Sequence, residues 1–265
     1  MEAGLETCPD SWIPQAFAFY EPSAAEDFDP NADWSSRYYI LNNESVTSEK
    51  VGTPMGVLNL DRTRGTGNEI HLAVDYTATK QYWKSSHVMQ ASIRFNTDQL
   101  GTPVSWRLNS EIRDSHGKAF AETRIREEAI VHKGLIVTTT NKKKKQIAAP
   151  ERFTTDFSFF DAVQRMRSGR ELTDASTFDL FESFTLRRSD QRLYGAEPLE
   201  LEVKGHKLKL HGYCRIGPGC LPWHYWLNEQ DRLVLATGNL RAYIFNPAAT
   251  LDNCDTSWVF HEVRA

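Results

Sequence analysis

From Arg37 onward the chain places apolar and polar side chains on alternate positions, segment after segment. In VSWRLNSEI, Val104, Trp106, Leu108, Ser110 and Ile112 fall on one face, and Ser105, Arg107, Asn109 and Glu111 on the other. A period of two marks a half-buried antiparallel strand. The turn DSHG sends the chain back through KAFAETRIREEAIV, a reversal follows at His132-Lys133-Gly134, and GLIVTTTNKKKKQI reads as the third strand of this meander. The run Lys142 to Lys145 belongs in water, at a strand end or as an edge guard, because charges on both faces of a strand cannot all be buried. Upstream, MGVLNLDRTR, NEIHLAVDYTATKQYW and SHVMQASIRFNTD supply three strands. Downstream come STFDLFESFTLRRS, EPLELEV, HKLKLHGYCRI, WHYWLNE, RLVLAT and RAYIFN. The pattern predicts an all-β protein with one strongly curved antiparallel sheet, a half-barrel or open barrel of about 10 to 12 strands.

One segment departs from the alternation. In TTDFSFFDAVQRMRSG, Phe157, Phe160, Val163 and Met166 recur near helical spacing, Ser158 and Asp161 stand in capping-box relation, and Gly169 supplies a stop. A short helix near 158–168 follows, and its apolar side requires a partner, which places it in or beside the concavity of the sheet. No linker or internal repeat marks a boundary, so residues 1–265 read as a single domain. Its parts are an irregular N-terminal arm (1–35) pinned by Trp12, Phe17, Phe19, Tyr20 and Phe28, the sheet with its helix (36–248), and a C-terminal tail (249–265).

Composition narrows the partners. The formal charge is -4 over 265 residues, which gives no global attraction to nucleic acid or anionic lipid. No apolar run is long enough for a transmembrane helix. The start MEAGLETCPDSW has no basic segment followed by an apolar one, so the expectation is a cytoplasmic chain, or a periplasmic or extracellular one whose signal was removed. Four cysteines allow two pairings of interest: Cys214 with Cys220 across the Gly-Pro-Gly turn, and Cys8 with Cys254 joining the chain ends. Four reduced thiols are the alternative. No cysteine or histidine pair has structural-zinc spacing, and no cofactor motif is present; the phosphate-loop, dinucleotide and nucleophile-elbow signatures are all missing.

Weaker constellations carry the candidate chemistry. In DFDPNAD, Asp27, Asp29, Asn31 and Asp33 follow the spacing of a calcium loop, but Ala32 and Tyr38 replace its glycine and its bidentate glutamate. An acidic loop with Asx turns is the favoured reading. In KLKLHGYCR, Lys207, Lys209, His211, Tyr213 and Arg215 project from one face, so His211 and Tyr213 could exchange protons while Arg215 neutralises a carboxylate, as β-elimination on a uronate polymer requires. These three are the candidate catalytic residues, and a solvent-facing strand is the structural alternative. In WHYWLNE, Trp223 and Tyr225 share one face, His224 and Trp226 the other, so both faces of that strand are covered. Trp106, Glu111, Trp223, His224, Tyr225 and Trp226 are the candidate ligand-contacting residues, although Glu111 with its flanking arginines also fits a cross-strand ion-pair lattice.

The segment LEVKGHKLKLHGY through PWHYWLNEQDRLVLATGNLRAYIF resembles the terminal part of a loosely defined group of bacterial exported proteins of unknown function. Tyr225, Trp226, Leu227, Asn228, Glu229, Arg232 and Leu233 carry the match, over about a third of the chain. The resemblance implies an antiparallel half-barrel like the lipoprotein-carrier fold, with a concave side able to hold an apolar ligand, and implies no catalytic residues. Three functions remain open: a module holding a small amphipathic or carbohydrate ligand in the concavity, a lyase acting on uronate sugars, and an assembly protein with no ligand.

Overall fold

In the computed structural model, residues 16–22, 28–42, 53–80, 85–166, 177–238 and 241–254 are described. They contain fifteen strands and one α-helix of length. The first eight strands are β1 (Trp34–Asn42), β2 (Pro54–Arg64), β3 (Glu69–Lys80), β4 (Ser85–Asn96), β5 (Pro103–Arg113), β6 (Ile125–His132), β7 (Leu135–Thr140) and β8 (Lys143–Ala148). A short β9 (Phe153–Thr155) leads directly into the helix α1 (Asp156–Arg165). Six strands follow: β10 (Phe178–Glu182), β11 (Leu186–Val203), β12 (His206–Gly217), β13 (Cys220–Leu227), β14 (Leu233–Thr237) and β15 (Arg241–Phe245).

All fifteen belong to one sheet, ordered β8-β7-β6-β5-β4-β3-β2-β1-β15-β14-β13-β12-β11-β10-β9. Two meanders, one from each half of the chain, are joined in the middle where β1 pairs antiparallel with β15, Tyr38 opposite Phe245. Only β9 with β10 is parallel. The sheet is therefore all-β and antiparallel as its alternation predicts, with more and shorter strands than the expected dozen. The three added strands are β1, the short β9 and β8, the second half of a divided segment. Asn141 and Lys142 both adopt positive φ, 47° and 70°, and so split GLIVTTTNKKKKQI into the hairpin β7–β8, since a two-residue loop with both φ positive matches strand twist. Ser183 and Phe184, at φ 48° and 64°, likewise divide β10 from β11.

The curl of the sheet follows from two distances. Fourteen inter-strand spacings of about 4.8 Å would separate β8 from β9 by about 67 Å in a flat sheet. Yet the chain passes from Ala148 at the end of β8 to Phe153 at the start of β9 in five peptide steps, which span at most about 19 Å. Side chains close the same gap: Trp106 of β5 lies 6.3 Å, ring to ring, from Phe181 of β10, and the Thr154 hydroxyl of β9 donates to the Leu100 carbonyl at 2.7 Å. Among the described residues the two edge strands still do not pair, so the barrel remains open. The edge strand β8 carries Lys143, Lys144 and Lys145 fully in solvent, the guard expected of that run.

Helix α1 occupies the concavity. Thr155 is its N-cap: the Thr155 hydroxyl accepts from the Ser158 amide, and the Ser158 hydroxyl accepts from the Thr155 amide. The capping box thus sits one turn before the Ser158/Asp161 pair expected from sequence, and the helix runs Asp156–Arg165 instead of 158–168. Phe160 meets the rings of Tyr38, Tyr225 and Tyr243 from three different strands, and Phe159 meets Phe178 and Tyr225. Such rings bury large apolar areas and dominate a core of this kind. Asp161, wholly buried, receives Arg62 Nε of β2 at 2.6 Å and Arg165 Nε at 2.6 Å. Arg62 continues to the carbonyls of Asn31 and Ala32, so one carboxylate ties helix, sheet and arm together. On the other side Gln164 Oε1 accepts from the Leu233 amide of β14.

The central strands are covered on both faces. Leu233, Val234, Leu235 and Ala236 of β14 are all inaccessible, and so a continuous apolar run appears where alternation would be expected of a one-sided sheet. The arm contributes Phe17, Tyr20 and Phe28 to the core, while Trp12 lies outside the described residues.

Candidate functional site

Helix α1 does not fill the concavity completely. Beyond its N-terminal turn a cavity of about 430 Å³ remains, lined by Asp156, Phe157 and Phe160 from α1, by Leu180 and Glu182 from β10, and by side chains of β11, β12, β13 and β15. One wall is flat and aromatic. Trp223 stacks between Tyr225, at 6.4 Å and 27°, and Tyr243, at 6.1 Å and 24°. Alternation puts Trp223 and Tyr225 on one face of β13, and Tyr225 pairs through Ala236 of β14 with Tyr243 of β15, so the three rings stand on two strands either side of β14. Gly238 makes the stack possible: a Cβ at that position would lie 2.3 Å from the Trp223 indole.

The rest of the lining is charged, and part of it adjoins the aromatic stack, Arg215 standing opposite Trp223 in the ladder between β12 and β13. Arg188 Nε bonds Glu182 Oε2 at 2.7 Å, and its Nη1 bonds the Gly219 carbonyl at 3.0 Å. Arg241 Nη1 donates to the Tyr76 hydroxyl at 2.7 Å. Arg215, only 4% exposed, donates from Nη1 to Gln191 Oε1 at 2.6 Å and from Nε to the Tyr225 hydroxyl at 3.3 Å. Gln191 is itself fixed, its amide nitrogen donating to the Ser189 carbonyl and its oxygen also accepting from the Cys220 thiol at 3.1 Å. Gly217 admits it, since a Cβ there would fall 2.1 Å from the Gln191 amide nitrogen.

Asp156 is the unusual acid of the cavity. Its Oδ2 accepts from the Ser183 amide at 2.9 Å, while its Oδ1 is shielded from solvent and has no partner. Burial pushes its carboxyl up to about 7, the Ser183 N–H and the nearby Arg215 opposing the shift and Glu182 adding to it. Burial likewise raises the Tyr225 and Tyr243 hydroxyls.

The cavity gathers three of the residues predicted from sequence, Arg215, Trp223 and Tyr225, and leaves the others elsewhere. Tyr213 faces the same concavity, but its hydroxyl donates to the Met166 carbonyl at the end of α1, at 2.7 Å. His211 stands 2.9 Å from Asp231 Oδ1, outside hydrogen-bonding geometry. His224 and Trp226 stack on each other on the opposite side of β13, 6.2 Å apart at 6°, and burial lowers the His224 ring. Trp106 is a core residue whose indole donates to the buried Glu127 at 2.9 Å. Glu111 sits between Arg113 and Arg124 at 2.7 and 3.1 Å, an ion-pair lattice at the end of β5. The sequence reading missed Asp156, Glu182, Arg188, Arg241, Tyr243 and Cys220 as cavity residues. Arg241 and Tyr243 alternate in RAYIF as Trp223 and Tyr225 do in WHYWL, so the same pattern would have found them.

Two cysteine pairings need correction. Cys214, Cys220 and Cys254 are all free thiols. Cys214 is opposite His224 in the ladder and Cys220 opposite Gly217, with a register shift between, so the first points away from the cavity and the second into it. Cys8 lies outside the described residues. In the acidic loop, Asp29 Oδ1 accepts from the Asn31 amide in an Asx turn, and Asp33 Oδ1 accepts from the Arg64 amide at the end of β2; Asp27 lies outside the described residues. Among the described residues no cluster of three histidine, cysteine or acidic side chains could hold a metal, and no helix is long and apolar enough to cross a membrane.

No family model matches the chain, and no curated protein matches it. Its fold is similar to that of a crystal structure from Brucella abortus described as a beta-barrel-like protein of domain of unknown function DUF1849. The TM-score is 0.52 at 7% identity, over 81% of this chain and 96% of that one. The likeness is one of fold, a bacterial barrel-like sheet of unassigned function, in keeping with the layout that the sequence resemblance implied.

Proposed function

We propose that this protein binds a small amphipathic molecule in the cavity beyond the N-terminus of α1. The observation that carries the reading is that one cavity combines an aromatic surface with charged groups. The Tyr225–Trp223–Tyr243 stack offers an apolar surface, and the rest of the lining carries arginines and two carboxyls. A volume of about 430 Å³ is within the ordinary range of small-molecule sites, which combine apolar walls with a few convergent polar groups. A large polysaccharide fits less well, since the space is bounded by the helix as well as the sheet. The lyase reading gains no comparable support: the Tyr213 hydroxyl is engaged by a helix carbonyl, and His211 lies beside Asp231, away from Arg215's hydrogen-bond partners.

The test is saturable binding of the uncharged fluorophore N-phenyl-1-naphthylamine to the purified protein, with native mass spectrometry searching for a retained molecule. Binding at one site, weakened by Trp223→Ala, is the expected result. Absence of saturable fluorescence together with a bare protein mass would overturn the reading.

A further inference from the structure

Arg215 raises a question of charge that the fold itself does not answer. A guanidinium cannot shed its proton in a protein, and a buried charge is costly without a counter-charge. Arg215 is 4% exposed, yet its hydrogen bonds go to the neutral Gln191 and Tyr225. Among the described residues no carboxylate comes within ion-pair distance of it. Arg215 lines the cavity, and its two side-chain bonds, from Nε and Nη1, leave its Nη2 group over.

Asp156 is near enough for its charge to be felt by Arg215, but neither neighbouring carboxyl forms an ion pair with it. Glu182 is engaged by Arg188 at 2.7 Å. Asp156 makes its only side-chain bond with the Ser183 amide, and burial favours its protonated form up to about pH 7. The cavity thus sets the guanidiniums of Arg188 and Arg215 against one paired carboxylate and one acid that resists ionising, with Arg215 beside the aromatic stack.

Resting on the binding reading above, we infer that the ligand is an amphipathic carboxylate: its apolar body lies against the Tyr225–Trp223–Tyr243 stack, and its anionic end pairs with Nη2 of Arg215. An arginine fork suits a carboxylate's two oxygens, and charge-assisted bonds of this kind are about twice as strong as neutral ones. The unpartnered Oδ1 of Asp156, in the protonated acid, is a hydroxyl donor available to the same carboxylate.

Three ligands of equal chain length separate the inference from the reading it rests on: decanoate, decanol and decylammonium, each displacing N-phenyl-1-naphthylamine from the full chain. Decanoate is expected to bind at least about tenfold more tightly than decanol, with decylammonium weakest. Arg215→Met, which keeps an apolar stem of similar length, brings decanoate down to the decanol level and leaves decanol unchanged. Should that variant not fold, the wild-type comparison of decanoate with decanol stands as the test. Equal displacement by decanoate and decanol overturns the carboxylate inference alone. If no ligand binds and the fluorophore does not bind either, both the inference and the cavity reading are overturned.

Discussion

Replacing Asp156 by asparagine removes a proton site whose affinity differs between the folded and unfolded chain, and the consequence can be worked out. In the folded protein the carboxyl is raised from its usual 3.8 to about 7, chiefly by burial. Below about pH 4 it is protonated in both states. As the pH rises from about 4 towards 7 the unfolded chain releases this proton and the folded one retains it, so folding stability falls through that interval and levels off above it. Between about pH 5 and pH 8 the two values correspond to about 2.6 kcal/mol, which partial solvent contact reduces to about 2 kcal/mol. Asparagine has nearly the same shape and does not titrate, and its oxygen can still accept from the Ser183 amide. Asp156→Asn is therefore expected to gain about 2 kcal/mol relative to wild type between about pH 5 and pH 8, with other groups cancelling in the difference. Urea unfolding followed by fluorescence at both pH values measures it. A wild-type-to-variant difference that stays constant with pH would refute the account of Asp156 as a buried, reluctantly ionised acid.

Two more outcomes follow from the same structure. Asp161→Asn leaves Arg62 and Arg165 without their shared carboxylate, at 2% and 9% side-chain exposure, and should cost about 3 to 5 kcal/mol by denaturant titration; a loss below about 1 kcal/mol, typical of an exposed pair such as Arg64–Asp33, would contradict the anchoring role. Iodoacetamide should label Cys220 in the folded protein well before Cys214 and Cys254, which are 2% and 7% exposed, the latter thiol being also pushed up to about 11 by burial. Peptide mass spectrometry reads the order, decanoate should slow the Cys220 reaction, and equal rates at the three thiols would contradict the arrangement.

Alternation made the strands legible because each side of a pleated strand meets a different solvent, as in β5, where Trp106 and Leu108 are buried and Arg107 and Asn109 exposed. The helix was legible for a related reason, its four apolar positions being spaced for one face. Where pattern failed, a local conformation or a distant contact had decided the outcome. The Asn141-Lys142 turn lacks the glycine that usually announces a tight hairpin, and β11 runs past Pro198 by shifting register between Ala196 and Leu199, as a proline inside a sheet requires. The site was harder still. Asp156 reads in sequence as an acid complementing a helix N-terminus, and only the curl of the sheet, which brings β10, β12 and β15 around that turn, makes it part of a cavity. Arg215 was found for its place on an alternating strand; its lack of a counter-charge belongs to the tertiary structure.

The pairing of β1 with β15 has a consequence for how the chain acquires its shape. Tyr38 and its ladder partner Phe245 lie far apart in sequence, so the seam at the centre of the sheet closes only once β15 has been synthesised. Until then β1 offers bare amides and carbonyls along an apolar margin, and such long-range registry is slow to form and prone to mispairing with other chains. Truncation before β15 should therefore yield aggregates in place of a smaller folded domain.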